Sequence, residues 1–137
     1  MKLFVDTSVW FSAAYQNDRG NEFAKEILGR GDELVTTDHV LLETWLLLRN
    51  RSSRDLADRF WEGLRQGVAS IEMVTIADLE SAWQIGLKFP DQDFSITDRT
   101  SFAFMERTRV TRVASFDYDF AIYRYGRNRD RAFDVVR

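Results

Sequence analysis

The sequence predicts an α/β protein with a largely parallel sheet and helices on both faces. Two observations support this prediction. Short apolar runs alternate along the chain with longer stretches in which apolar residues recur at the helical period. Two of the apolar runs are also followed at once by aspartate, as expected for strands whose carboxyl ends form a site. With 137 residues and no linker-like stretch, we expect a single domain over residues 1–137.

The individual elements follow from these patterns and from local boundary signals. Short apolar runs predict strands at 3–5, 33–36, 71–76, 111–115 and 132–136. Helical periodicity predicts helices near 8–16, 21–30, 39–50, 53–66, 78–88, 98–108 and 118–123. Ser52 or Ser53 can cap the helix that follows, Gly67 stands where that helix would end, and Pro90 terminates the helix that Phe89 closes.

The composition excludes several classes of protein. There is no cysteine and one histidine, His39, so disulfide frameworks, thiol nucleophiles and two-histidine metal sites are excluded. No apolar run approaches the roughly 18 residues of a membrane span, and the first residues do not resemble a signal peptide. We therefore expect a cytoplasmic protein without a membrane partner, whose metal chemistry would use oxygen ligands.

The net charge is −3, but the charges are unevenly distributed. Residues 99–131 hold eight arginines against four acids, and arginine suits two-pronged contacts with phosphate. A solvated surface is the commoner meaning of such a cluster. The arginines are Arg99, Arg107, Arg109, Arg112, Arg124, Arg127, Arg129 and Arg131.

Two acids should meet at one edge of the sheet. Asp6 directly follows the run 3–5, and Asp117 follows the run 113–116. If both strands are parallel members of one sheet, these carboxylates emerge at the same edge, where like charges repel unless a cation joins them. Each also has a structural interpretation, because Asp6 and the tripeptide from Asp117 to Asp119 could simply cap helices.

Two further acids stand out from their surroundings. Glu43 interrupts a leucine-rich helix that looks apolar on nearly every side and hence buried, where a carboxylate needs a cation or an arginine partner. Asp98 precedes an apolar helix and could be a first-turn acid favoured by the helix dipole, with Ser95 or Thr97 as the cap. Both interpretations of each residue remain open from the sequence alone.

Rival motifs fail on spacing. The stretch that begins at Asp91 imitates a calcium-binding loop, but Ile96 stands where glycine is required and Phe102 where glutamate is required. A dehalogenase-type phosphatase would need a second aspartate where Ser8 stands. The chain also lacks a Walker phosphate loop and a dinucleotide-binding glycine fingerprint.

Four segments together resemble PIN-domain proteins, particularly the toxins of VapBC toxin–antitoxin pairs. They are the sequence 3–8 with Asp6, the helix that contains Glu43, the stretch 94–102 with Asp98, and the stretch 114–120 with Asp117. The resemblance runs from residue 3 to about residue 126. It implies a three-layer α/β/α sandwich with a five-stranded parallel sheet, a magnesium- or manganese-dependent endoribonuclease, and a homodimer inhibited by a cognate antitoxin.

Carried over by position, the resemblance assigns the acidic quartet to Asp6, Glu43, Asp98 and Asp117. Ser8 or Thr7 matches the small hydroxyl residue that follows the first acid. Asp119 could share or replace Asp117, although Asp117 directly follows the strand. We expect Asp6, Asp98 and Asp117 to hold the metal, with Glu43 as a further ligand or as an orienting group. Ser8 would position a phosphate oxygen or a bound water.

Two other functions remain possible from the sequence. The chain could be a PIN-like scaffold that binds RNA or a protein without cleaving it, or a phosphatase that acts on small phosphate esters with the same acids. Trp45, Phe60 and Trp61 could receive an antitoxin helix, although core packing is the commoner use of such side chains.

Overall fold

A computed structural model describes all 137 residues and contains one five-stranded sheet in which every strand pairing is parallel. The strands are β1 (Lys2–Val5), β2 (Glu33–Thr37), β3 (Ser70–Glu72), β4 (Arg112–Ala114) and β5 (Asp134–Val136). Their order across the sheet is β3-β2-β1-β4-β5. The central strand, β1, carries the run Leu3, Phe4 and Val5, all fully buried, as expected for a parallel strand covered on both faces.

Seven helices connect the strands. They are α1 (Thr7–Ala14), α2 (Asn21–Leu28), α3 (Asp38–Arg51), α4 (Arg54–Arg65), α5 (Ile76–Lys88), α6 (Ile96–Thr108) and α7 (Asp119–Ile122). From β1 to β3 the chain moves one way across the sheet, and it then returns past β1 to β4. Because parallel crossovers are right-handed, this reversal places α1 to α4 on one face and α5 and α6 on the other. None of these helices is long and apolar enough to cross a membrane.

The reversal of direction creates a switch point between β1 and β4. Ligands of open parallel sheets bind at such points, in the crevice outside the carboxyl ends of the strands. Here β1 and β4 are neighbours, with Val5 paired to Ala114 at their carboxyl ends. The residues that follow these two strands therefore start from adjacent positions.

Local capping explains where the element boundaries differ from the sequence prediction. The predicted strand 71–76 is wrong at its end, because β3 stops at Glu72 and Ile76 already begins α5. Thr75 accepts a hydrogen bond from the Asp78 N–H at 3.1 Å, and Asp78 accepts one from the Thr75 N–H at 3.0 Å. This reciprocal capping box starts the helix two residues before the predicted position. Similarly, α6 begins at Ile96 because Ser95 caps it.

An aromatic cluster fills the core beside α6. Phe102 is fully buried and lies against Phe94 at 5.1 Å and Phe120 at 4.9 Å, both edge to face, while the Tyr123 ring stacks on it at 4.3 Å. Such aromatic pairs contribute beyond the area that they bury. The cluster thus ties α6 to α7, the two helices that carry Asp98 and Asp119.

We predict that Phe102→Ala lowers the free energy of unfolding by about 3–5 kcal/mol, because it removes a fully buried ring and leaves a cavity among three aromatic side chains. Denaturant unfolding measures the change. Val68→Ala is the control, since Val68 is 54% exposed and its truncation should change stability by no more than about 0.5 kcal/mol. Equal losses in the two variants would contradict this description of the core.

Candidate functional site

Asp6 is held at the carboxyl end of the central strand by two serine hydroxyls. Ser8 and Ser115 each donate a hydrogen bond to Asp6 Oδ2 at 2.9 Å. The side chain of Asp6 does not cap α1, and the residue is 1% exposed. Asp6 is therefore the N-cap residue of α1 by position, but its carboxylate makes no capping hydrogen bond and is fixed at the sheet edge by the two serines.

The same two hydroxyls shape the segment that follows β4. Ser8 Oγ accepts a hydrogen bond from the Phe116 N–H at 2.9 Å, and Ser115 Oγ accepts one from the Asp117 N–H at 3.1 Å. The orientation of the first acid and the backbone position of Asp117 thus depend on one small network. Ser8 makes these contacts, whereas the buried Thr7 hydroxyl has no hydrogen-bond partner.

Ser115 was not among the site residues predicted from the sequence. It is fully buried and lies directly after β4, two residues before Asp117. A small hydroxyl residue between a buried strand and an aspartate is the signal that could have indicated it, because a hydroxyl at that position can bond both a neighbouring carboxylate and the following backbone.

Asp98 reaches the same edge from the opposite layer. It lies in the first turn of α6, where Ser95 Oγ accepts a hydrogen bond from the Asp98 N–H at 3.0 Å. Ser95, and not Thr97, is therefore the cap. The side chain of Asp98 has no cationic partner and is only 7% exposed.

The pKa shifts indicate that the acids act on one another electrostatically. Burial raises the pKa of Asp6 to about 6, the negative charge of Asp117 adds to this effect, and the hydroxyl donors oppose it. Burial likewise raises the pKa of Asp98, followed by the carboxyl group of Asp119 and the charge of Asp6. For Asp117, burial raises the pKa first, and then the charges of Asp119 and Glu43. All five acids therefore belong to one cluster.

This cluster bears on the choice between Asp117 and Asp119. The charge of Asp117 raises the pKa of both Asp6 and Asp98, and the charge of Glu43 acts on Asp117. Asp119 raises the pKa of Asp98 and Asp117. Both aspartates therefore act on Asp98 and belong to the site.

Glu43 lies in a less buried position than its sequence predicts. The expectation that its helix is apolar and buried on nearly every side is wrong, because Leu42 and Leu46 of α3 are 58% and 53% exposed. Glu43 itself is half-buried and makes no salt bridge, so the arginine partner proposed as its alternative explanation is absent. The many apolar residues of α3 did not indicate burial on every side, because leucine is also common on the solvent-facing side of a helix.

An open cleft of about 300 Å³ connects Glu43, Asp117 and the α1 hydroxyl residues. Its lining consists of Thr7, Ser8, Phe11, Ser12, Asp18, Glu43, Leu47, Arg51, Phe116 and Asp117. Arg51 is the one cation among these residues. None of the eight arginines of segment 99–131 lines this cleft, so the predicted local basic cluster lies elsewhere on the molecule.

The donor set fits a hard divalent cation. All the candidate ligands are carboxylates, their charges are not neutralised by arginine or lysine, and magnesium prefers one or two carboxylates together with waters and phosphate oxygens. No three of the acids form a ready-made coordination group, however. The site therefore offers suitable oxygen donors and uncompensated negative charge without a closed cage.

A parallel α/β/α fold with converging acids at the β1/β4 switch point defines the PIN-domain class, and the model of that family matches residues 3–125. The chain belongs to the PIN-domain family. It is similar to "23S rRNA-specific endonuclease VapC20" of Mycobacterium tuberculosis, with 35% identity over 121 residues that cover 87% of this chain and 92% of the relative.

Solved structures agree with this assignment. The crystal structure of M. tuberculosis VapC20, described as a sarcin-ricin loop cleaving toxin, has a TM-score of 0.83 at 31% identity, covering 87% of this chain and 92% of that chain. A VapBC2 structure from Rickettsia felis, bound to promoter DNA, has a TM-score of 0.65 at 9% identity, over 86% of this chain and 89% of that chain. A toxin–antitoxin complex from Klebsiella pneumoniae has a TM-score of 0.63 at 12% identity, over 98% of this chain and 96% of that chain. The last two similarities concern the fold alone.

We predict that the metal-free protein loses stability as the pH rises. The folded-state pKa of Asp6 lies above its ordinary value of 3.8, so the folded protein binds this proton more tightly than the unfolded chain. That contribution, roughly 3 kcal/mol, is complete below pH 4 and disappears as the pH passes 6. About half of this loss falls between pH 5 and pH 8. Thermal melts in EDTA at these two pH values measure that part, and added Mn²⁺ should raise the melting temperature more at pH 8, where protons compete less.

Asp6→Asn provides the control for this prediction, because the amide keeps an acceptor for the serine hydroxyls but cannot ionise. Its melting temperature in EDTA should fall less between pH 5 and pH 8 than that of the wild type. Identical pH profiles for the two proteins would show that Asp6 is not the source of the loss.

Proposed function

We propose that this chain is an endoribonuclease that acts as the toxin of a toxin–antitoxin pair, with one PIN domain over residues 1–137 and a cytoplasmic location. The observation that carries the proposal is the convergence of unpaired acids at the β1/β4 switch point. A buried carboxylate without a cationic partner is costly and marks a functional site more often than a structural one. The similarity to VapC20 supports the choice of RNA over a small phosphate ester.

Asp6, Asp98 and Asp117 would hold Mg²⁺ or Mn²⁺, with Glu43 and Asp119 as further ligands or orienting groups. When bound, the ion would offset the negative charge of the phosphodiester and lower the pKa of a coordinated water. Ser8 and Ser115 keep the Asp6 carboxylate in one orientation, which reduces the reorganisation needed during the reaction. Glu43 and Asp119 are both half-exposed, and Glu43 lines the cleft, so neither carboxylate is sealed from solvent.

Structured RNA is the substrate class that we propose. VapC20 is described as specific for 23S rRNA and as cleaving the sarcin-ricin loop, so a hairpin with that loop is the first substrate to test. Because the cluster of acids repels phosphate, a bound metal ion and a nearby cation would each strengthen RNA binding.

A second copy of the chain is one proposed partner. On α5, the side chains of Ile76, Leu79, Trp83 and Leu87 are 81%, 37%, 61% and 59% exposed, and their spacing of three and four residues places them on one face. An uncharged apolar stripe is self-complementary, as a two-fold interface requires. We name these four residues the α5 stripe and propose that it forms the homodimer contact.

A cognate VapB-like antitoxin is the other proposed partner. Of the three aromatic residues that the sequence suggested for its docking, Phe60 packs on Trp10 with ring centroids 6.0 Å apart and belongs to the core. Trp45 is half-buried, and its Nε1 donates to Asp58 at 3.0 Å, while Trp61 remains 44% exposed. Trp61 is therefore the residue of this group that we propose for an antitoxin contact.

We predict that Asp6→Asn and Asp98→Asn each reduce cleavage of the sarcin-ricin hairpin by at least 100-fold in Mg²⁺ or Mn²⁺, because each removes a proposed metal ligand. Gel-based cleavage assays measure the rates, and circular dichroism checks the fold. Asp93→Asn is the matched control, since this exposed aspartate lies outside the acidic cluster. Cleavage that survives both substitutions, or that continues in EDTA, contradicts the proposed mechanism.

A preference for a model phosphomonoester over the RNA hairpin would indicate the phosphatase alternative. RNA binding without cleavage under any metal condition would instead indicate the scaffold.

We predict that Trp83→Glu converts a dimer into a monomer, because it places a charge in the centre of the α5 stripe. Sedimentation velocity measures the oligomeric state at micromolar concentration. Gln84→Glu adds the same charge to the adjacent exposed position and should leave the dimer intact. A wild-type protein that sediments as a monomer would contradict the homodimer proposal and leave the nuclease proposal unaffected.

A further inference from the structure

Arg51 is placed differently from the other cations of this protein. It lies on the same side of α3 as Glu43 and Leu47, at intervals of four residues, and these three side chains line the cleft. It makes no salt bridge, whereas other arginines such as Arg107 and Arg112 pair with aspartates. Arg51 is thus a cation without a salt-bridge partner in the cleft that also contains Glu43 and Asp117.

An aromatic platform supports the Arg51 guanidinium. Its Cζ lies 5.6 Å from the centroid of the Phe11 ring, a distance typical of cation–π contacts. Phe11 is itself fixed in a small buried cluster with Leu48 and Ala57. Stacking leaves the edge of the guanidinium, with its N–H donors, free to bind an anion. It also restricts the arginine side chain beforehand, so that less conformational entropy is lost when the anion binds.

The position along α3 determines which anion Arg51 can bind. Eight residues separate it from Glu43, which corresponds to a rise of about 12 Å along the helix. A phosphate held among the acids and a phosphate held by Arg51 are therefore different groups. An extended polyanion, and not a small phosphate ester, can occupy both positions at once.

We propose that Arg51, stacked on Phe11, forms a phosphate-binding subsite for an RNA phosphate that flanks the one to be cleaved. This inference rests on the proposed ribonuclease function and extends it from the acids to the path of the substrate. Arg51 binds the RNA before and during cleavage and takes no part in the chemical step. It is accordingly a positioning residue.

Arg49 provides a matched control. It lies in the last turn of the same helix, carries the same charge, and is exposed, but it does not line the cleft. Replacement of either arginine removes one cation from the helix C-terminus and has the same effect on the helix dipole. A difference between the two variants therefore reports the subsite and not the general charge of the helix.

The binding test uses the full chain with Asp98→Asn, to prevent cleavage, and a fluorescent sarcin-ricin hairpin at several KCl concentrations. Arg51→Ala should weaken binding about tenfold and reduce the slope of log K against log salt by about 0.7, the effect of one lost contact to a single-stranded phosphate. Arg49→Ala should stay within twofold of the parent protein. Arg51→Lys should keep the salt slope but restore only part of the affinity, because lysine cannot form the two-pronged contact.

The kinetic test uses the wild-type background. Arg51→Ala should raise KM about tenfold and change kcat by less than threefold, as expected when an interaction is equal in the ground state and the transition state. Equal effects of Arg51→Ala and Arg49→Ala, or a loss confined to kcat, would overturn the inference while wild-type cleavage stands. A wild type that neither binds nor cleaves the hairpin would overturn the inference together with the proposed function.

Discussion

The buried Asp6 carboxylate, pinned by two serine hydroxyls, is the constraint on which the site depends. Ser8 reaches it from α1 and Ser115 from the end of β4, so one carboxylate oxygen joins the two strands at the switch point. Both hydroxyl oxygens also accept hydrogen bonds from backbone N–H groups of the segment that carries Asp117. The position of the second acid is thus set by the hydrogen bonds of the first, and a change at either serine would disturb both.

A comparison of two buried aspartates shows that this protein pairs one buried acid with a cation and leaves the other without one. Asp78 is 2% exposed and receives two hydrogen bonds from Arg107. Although burial alone would raise the pKa of Asp78, the contacts with Arg107 lower it below its ordinary value. Asp6 is as deeply buried and receives no cation, and its pKa is raised. The fold can neutralise a buried acid, and at the switch point it instead gathers further acids, which favours a site for a bound cation.

The sequence predicted the fold well because the fold rests on short-range patterns, and the same patterns named the acids that we propose for the site. A buried strand followed by an acid is visible in the chain itself, and parallel topology then brings Asp6 and Asp117 to one edge. The position of Ser115 after a buried strand was visible in the sequence, but its hydrogen bond to Asp6 was not, since that contact spans more than one hundred residues. The burial of α3 was misjudged for a related reason, because hydrophobicity alone does not reveal which leucines a neighbouring helix covers.

Arginine density along the chain also did not indicate which arginine lines the cleft. In the arginine-rich segment, Arg107 and Arg112 are bound to Asp78 and Asp32, and Arg124 donates to backbone carbonyl groups at the C-terminal end of α7. These cations stabilise the fold, so their charge is not free for a ligand. What makes a cation available is the absence of a salt-bridge partner together with a position in the cleft. Both are tertiary properties, and they single out Arg51, a residue outside the segment with the most arginines.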